Sequence, residues 1–141
     1  MADPTSPASG SPMMAVAVSA LRAQQSRMRV IAENIANSDS TATTSTGTPY
    51  RRQMPVFQTS KIDGASGVKL AQVIQDASPF RLEYDPGHPA ADANGYVKRP
   101  NVNPLLETMD MREAQRAYEA NLNVIDTARA MDNSTLDILK K

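Results

Sequence analysis

No glycine or proline interrupts the chain between Pro104 and Lys141, and this stretch constrains the fold more than any other feature. Either residue inside a helix costs from about 1 to about 3 kcal/mol, so their absence over such a length favours one long helix. Asn103 can cap its start, and Pro104 suits the first helical position because its missing N–H would have no partner there anyway. Met111, Tyr118, Leu122, Ile125, Leu136 and Leu139 lie on one seam, interrupted by Gln115, Arg129 and Asp132. A seam repeating near 3.5 residues favours coiled-coil packing. The small side chains of Ala114, Asn121 and Ala128 beside it permit close approach. Outside the seam, Glu113 with Arg116 and Asp126 with Arg129 are opposite charges three apart, as on a solvated face. The expected helix is on the order of 50 Å long.

The beginning of the chain repeats the pattern. Ser11-Pro12 is a cap followed by proline, and Met14, Leu21, Met28 and Ile35 then recur every seven residues. Ala17, Val18, Ile31 and Ala32 fill the half-steps, and Gln24 and Gln25 break the stripe. With Arg22, Arg27, Arg29 and Glu33 off the seam, this reads as an amphipathic helix ending near Asn37, roughly 36 Å long.

Two such helices could close on each other as one small core. Composition argues that this is not the whole account: aromatics make up 4% of the 141 residues and Trp is absent, so a compact core lacks its usual bulk. The helices are therefore expected to pair with each other and also to pack on neighbouring chains. The expected fold is mainly α, with two long terminal helices pairing as an antiparallel coiled coil around a small β-rich insertion. Its divisions are a disordered tail at 1–12, a helical core from 13–37 and 103–141, and a linker with a β-hairpin at 38–102. The tail, MADPTSPASGSP, has too little apolar surface to offset the entropy of ordering.

About 65 residues separate the helices, too many for a plain loop. Ser38 to Thr48 is rich in Ser and Thr and reads as a flexible linker. Strands are expected at Arg52–Thr59, Val68–Gln75 and Phe80–Tyr84, with Gly64 and Gly67 supplying a turn before the second. Phe80, Leu82 and Tyr84 alternate with Arg81 and Glu83. Pro86, Pro89 and Pro100 keep the stretch before the last helix extended.

The residues offer little chemistry. There is no Cys, which excludes a disulfide framework, a thiolate nucleophile and a Cys-ligated zinc site. The one histidine, His88, has Asp85 and Asp92 nearby but neither a ligand set nor a positioned nucleophile. Asp92-Ala93-Asn94-Gly95 lacks the remaining ligands of a calcium loop and reads as a tight turn at Asn94-Gly95. No phosphate loop and no paired zinc-binding histidines occur. The formal net charge is zero, with Arg51-Arg52, Lys98-Arg99 and Lys140-Lys141 as isolated surface pairs, which argues against nucleic acid as a partner. No apolar run is long enough to cross a membrane. Met13 to Leu21 looks like the apolar part of a secretory signal but lacks the preceding basic segment, so no cleavable signal is expected. No catalytic, cofactor-binding or metal residue is assigned.

Two blocks carry a family resemblance. VIAENIAN at 30–37 resembles the N-terminal signature of the flagellar rod, hook and hook-associated axial proteins. From His88 to Lys141, with NGYVKRPNVNPLLE and MREAQRAYEANLNVI, the chain is similar to the C-type flagellar basal-body rod proteins of the proximal rod. Pro49-Tyr50-Arg51-Arg52 and Val56-Phe57-Gln58 fit the same pattern, and together the matches cover about three-quarters of the chain. Residues 1–12 and 38–48 depart from it. The signature falls on Asn34, Ile35, Asn37, Tyr96, Pro100, Asn101, Asn103 and Asn121.

The resemblance implies paired terminal helices lining the core of a helical tube, and export of the unfolded chain by the flagellar apparatus without cleavage. It further implies assembly in the periplasm with copies of itself and other rod subunits, to transmit motor torque and enclose the export channel. No catalysis and no cofactor are implied. A heterologous contact that does not close gives such a filament. The expected subunit interface is Met14, Leu21, Met28, Ile31, Ile35, Met111, Tyr118, Leu122, Ile125, Leu136 and Leu139. A generic secreted coiled-coil adaptor is the alternative, but it has no need of the two signature blocks.

Overall fold

Both helices begin where a cap meets a proline. The computed structural model describes residues 11–140 and orders them as helix α1 (Pro12–Ala36), strands β1 (Gln53–Ile62), β2 (Ala65–Gln75), β3 (Arg81–Tyr84) and β4 (Tyr96–Arg99), and helix α2 (Pro104–Leu139). The Ser11 hydroxyl accepts the Met14 N–H at 3.3 Å, and the Asn103 side-chain oxygen accepts those of Leu105 and Leu106 at 3.1 and 3.5 Å. These bonds satisfy amides that the first helical turn leaves without partners. At 1–12, the expected tail falls outside the described residues up to position 10, and its last two positions belong to the start of α1.

The helices run in opposite directions along each other. Arg27 meets Glu113 at 3.6 Å, and Met13 lies beside Asn123, Val124 and Thr127. With 25 residues α1 is about 37 Å long, and with 36 residues α2 is about 54 Å. The longer helix therefore outruns its partner, and Arg129 to Lys140 are exposed throughout.

Between them, β1 and β2 form an antiparallel hairpin from Gln53 opposite Gln75 to Ile62 opposite Ala65, with an irregularity at Val56/Phe57. Its turn is Asp63-Gly64, both with positive φ (50° and 82°), the geometry that matches the twist of a two-residue hairpin. Gly67 was expected in that turn but lies within β2. A Cβ there would come within 2.6 Å of Ile62 and 2.8 Å of the Ser19 hydroxyl, so the missing side chain is what allows β2 to lie on α1. Ser19 fixes that contact by accepting the Val68 N–H at 3.2 Å.

The second sheet corrects the sequence expectation. The stretch before α2 is not simply extended: Tyr96–Arg99 is a strand, β4, pairing antiparallel with β3, and β3 starts at Arg81 instead of Phe80. Pro86, Pro89 and Pro100 all fall outside the paired residues, so none removes a ladder hydrogen bond. The expected tight turn sits in the connecting loop, where the Gly95 N–H reaches the Asp92 carbonyl at 3.0 Å. The alternation of β3 does not mark a buried face, since all four of its residues are exposed; Val97, Pro100 and Val102 are the buried ones. Ser38 to Thr48, expected as a flexible linker, is a run of turns bonded from Ser38 to Ile35, Ser40 to Asn37 and Gly47 to Thr44.

Candidate assembly interface

The signature asparagines are polar clamps on the backbone. Asn34 is buried on α1, where its amide donates to the Gln53 carbonyl at 2.8 Å and its oxygen accepts the Gln53 N–H at 2.9 Å and the Tyr50 hydroxyl at 2.7 Å. One side chain thus ties the end of α1 to the start of β1. Burial, and then the charges of Glu33 and Glu107, raise the Tyr50 pKa above its ordinary value. Asn37 caps α1 by donating to the Glu33 carbonyl at 2.8 Å. Asn101 accepts the Arg52 N–H at 2.7 Å and donates to the carbonyls of Asp76 and Ser78 at 3.0 and 3.1 Å. Asn103 caps α2, Asn121 bonds the Ala117 carbonyl at 2.9 Å, and the Tyr96 ring meets Tyr84 edge-on at 5.4 Å. Pro100 is buried and Ile35 half-buried. These roles position elements and place no reactive group.

An ion cluster, which the sequence reading missed, joins the hairpin to α2. Arg52 Nε donates to Glu107, Nη1 lies 3.3 Å from Asp76, and Nη2 lies 4.0 Å from Asp110. Glu107, at 2% exposure, is among the most buried large side chains of the molecule. Burial alone would lower the Arg52 pKa; the bonds and charges of Glu107 and then Asp76 outweigh it and raise the value. Hydrogen bonds from the Ser78 hydroxyl and N–H, reinforced by Arg52, hold Asp76 below the usual carboxylate range. Arg51-Arg52 is therefore no solvated pair, since Arg51 also stacks on Phe80 at 4.2 Å. Nothing local signals the cluster: Arg52 and Glu107 come from opposite sides of the insertion.

The apolar seam divides into two faces. Ala114, Ile125 and Ala128 are buried, with Met111, Tyr118 and Asn121 half-buried, so the small residues lie within the seam and not beside it. On α1, Ile31 is buried with Ala17, Ala23 and Val30, while Met14, Leu21, Met28 and Ile35 are half-buried. Leu122 (38% exposed) lies at the seam's edge, and Leu136 and Leu139 (55% and 77%) lie in the part of α2 beyond α1. Further apolar residues, Leu106 and Met109 near the start and Val124, Met131 and Ile138 toward the end, lie about a third of a turn away around α2 and are exposed. The seven-residue spacing from Val124 through Met131 to Ile138 was visible in the sequence.

Residues 14–42, covering most of α1, match the family described as flagella basal body rod protein. Residues 93–138, covering β4 and nearly all of α2, match the flagellar basal body rod FlgEFG protein C-terminal family. The chain is 50% identical over 128 residues to the flagellar basal-body rod protein FlgC of Agrobacterium fabrum, covering 89% of this chain and 91% of that one. The chain belongs to the FlgC family of flagellar basal-body rod proteins. Within the family it is 46% identical to the Salmonella typhimurium protein over 125 residues (87% and 92% of the two chains). With that of Borreliella burgdorferi it shares 42% over 144 residues (89% and 94%). These relatives are named as flagellar basal-body rod proteins, which favours a rod subunit of the flagellar basal body over a generic adaptor, and no enzyme family is indicated.

Proposed function

We propose that this FlgC family member is a subunit of the proximal rod, polymerising helically with copies of itself and other rod subunits to transmit motor torque and enclose the export channel. The observation that carries this reading is the apolar surface of α2 that the described chain leaves uncovered, at Leu106 and Met109 near its start and at Met131, Leu136, Ile138 and Leu139 beyond the end of α1. Apolar surface of that extent on one helix gains most by burial against other helices. The polar clamps suit a rigid part: they fix the hairpin and α2 to α1 without creating a reactive centre, and the reading includes no catalysis, no cofactor and no nucleic acid. Its place is the periplasmic part of the basal body, reached by the flagellar export apparatus without a cleaved signal. The test is deletion of the chain in its host and isolation of basal bodies. Rods should be missing and restored by the intact gene; complete rods in the deletion strain would overturn the proposal.

A further inference from the structure

Three carboxylates, Asp76, Glu107 and Asp110, surround the single guanidinium of Arg52, leaving two negative charges unmatched. They line a cleft of about 350 Å³ at the start of α2, with Asn101, Asn103 and Leu106. Glu107 Oε2 is sealed from solvent and has no hydrogen-bond partner among the described residues. A buried acceptor left in that state is costly and adds to the cluster's excess negative charge, whose solvent-facing member is Asp110 at 41% side-chain exposure. Arg52 sits between the carboxylates, and among the described residues no three metal-ligating side chains converge. The rim is apolar: Leu106 lines the cleft at 56% exposure, next to Leu105 at 70%. Acid inside and leucine at the mouth match a long side chain with an apolar stem and a cationic head.

The chain carries the complementary feature on α1. Arg22, Gln25, Ser26 and Arg29 line a shallow depression that contains two arginines and no acid. Arg29 is exposed, and neither arginine has a carboxylate within ion-pair distance among the described residues. We propose that the acidic cleft at Glu107 and Asp110 receives Arg29 from α1 of a second copy of this chain, a head-to-tail contact whose excess charges cancel. The antiparallel register, with Arg27 at Glu113, puts donor and acceptor at similar heights along the helix pair, so the contact sets copies side by side. A heterologous contact of this kind repeats around a ring or helix. This deepens the rod-subunit reading and rests on it.

The test begins with Arg29→Glu and Asp110→Arg in cells, scored by incorporation into isolated basal bodies. Arg29 is exposed and outside the Arg52 cluster, so circular dichroism of Arg29→Glu should match the unaltered chain. Asp110→Arg sets a second cation beside Arg52, so Asp110→Asn is scored with it to separate loss of the contact from disturbance of the cluster. Each single reversal should reduce incorporation about tenfold or more, as expected for losing a charge pair at an interface, and the double variant should recover most of it. Single variants that incorporate normally, or a double variant that recovers nothing, would overturn the proposal. Because the chain has no Cys, a second measurement needs no background correction. Arg29→Cys and Asp110→Cys chains, co-expressed and treated with a short bis-maleimide, should give a mixed dimer that neither variant forms alone. Absence of that dimer from assembled rods would also overturn it. If the unaltered chain is itself missing from basal bodies, the rod-subunit reading fails instead, and the two failures are distinguishable.

Discussion

Asn34 carries a large share of the molecule's order for one side chain. Replacing it with Ala removes the bonds to both backbone groups of Gln53 and to the Tyr50 hydroxyl. Leaving buried partners unmatched should cost about 3 kcal/mol, read as a lower urea midpoint with an unchanged slope. Asp76 makes the fold sensitive to acid in a definite direction. Its pKa is depressed in the folded chain, so its contribution is complete above the unfolded value of about 4 and is lost as pH falls through the lower folded value. A pH series of unfolding midpoints should therefore show a shallower acid limb for Asp76→Asn than for the unaltered chain. The asparagines were legible as a signature, but their jobs were not. Gln53 and Arg52, the groups that Asn34 and Asn101 hold, lie far from them in sequence.

At the scale of elements, the two faces of α2 make neighbouring residues answer differently. Ile125 packs inside the chain, so Ile125→Asp buries an unpaired charge and should cost several kcal/mol of fold stability. Leu122, at the seam's edge, should tolerate Asp within about 0.5 kcal/mol in the monomer while rod assembly fails. Thermal melts and basal-body preparations of the two variants separate these outcomes. Both helix starts were legible because a cap and a proline act locally. The small size of Ala114 and Ala128 was legible too, but their place at the centre of the seam was not, because alanine reads as weakly apolar until a facing helix covers it. Strand β4 was hidden for another reason: its four residues, Tyr96 to Arg99, alternate too briefly to stand out among the prolines around them.

For the whole molecule, burial within the described chain ends near Ala128, and Arg129 to Lys140 project beyond α1. Hydrogen exchange on the verified monomer should accordingly find protection from Met111 to Ala128 and fast exchange after Arg129. In assembled rods, protection should extend to Leu139. Equal protection along all of α2 in the monomer would contradict the view that neighbours complete this helix.

The pairing of the first helix with the last also sets a timetable. Arg27 cannot meet Glu113 until both ends of the chain are free in the same space, and closing so long a loop costs roughly 4 kcal/mol of chain entropy. A chain threaded through a narrow passage, whichever end leads, has one partner of this pair still inside until most of it has emerged. The β1–β2 hairpin can close early, but the helix pair must wait. Premature folding is thus discouraged by topology alone, and the long-range contacts that make the finished part stiff are the slowest to form.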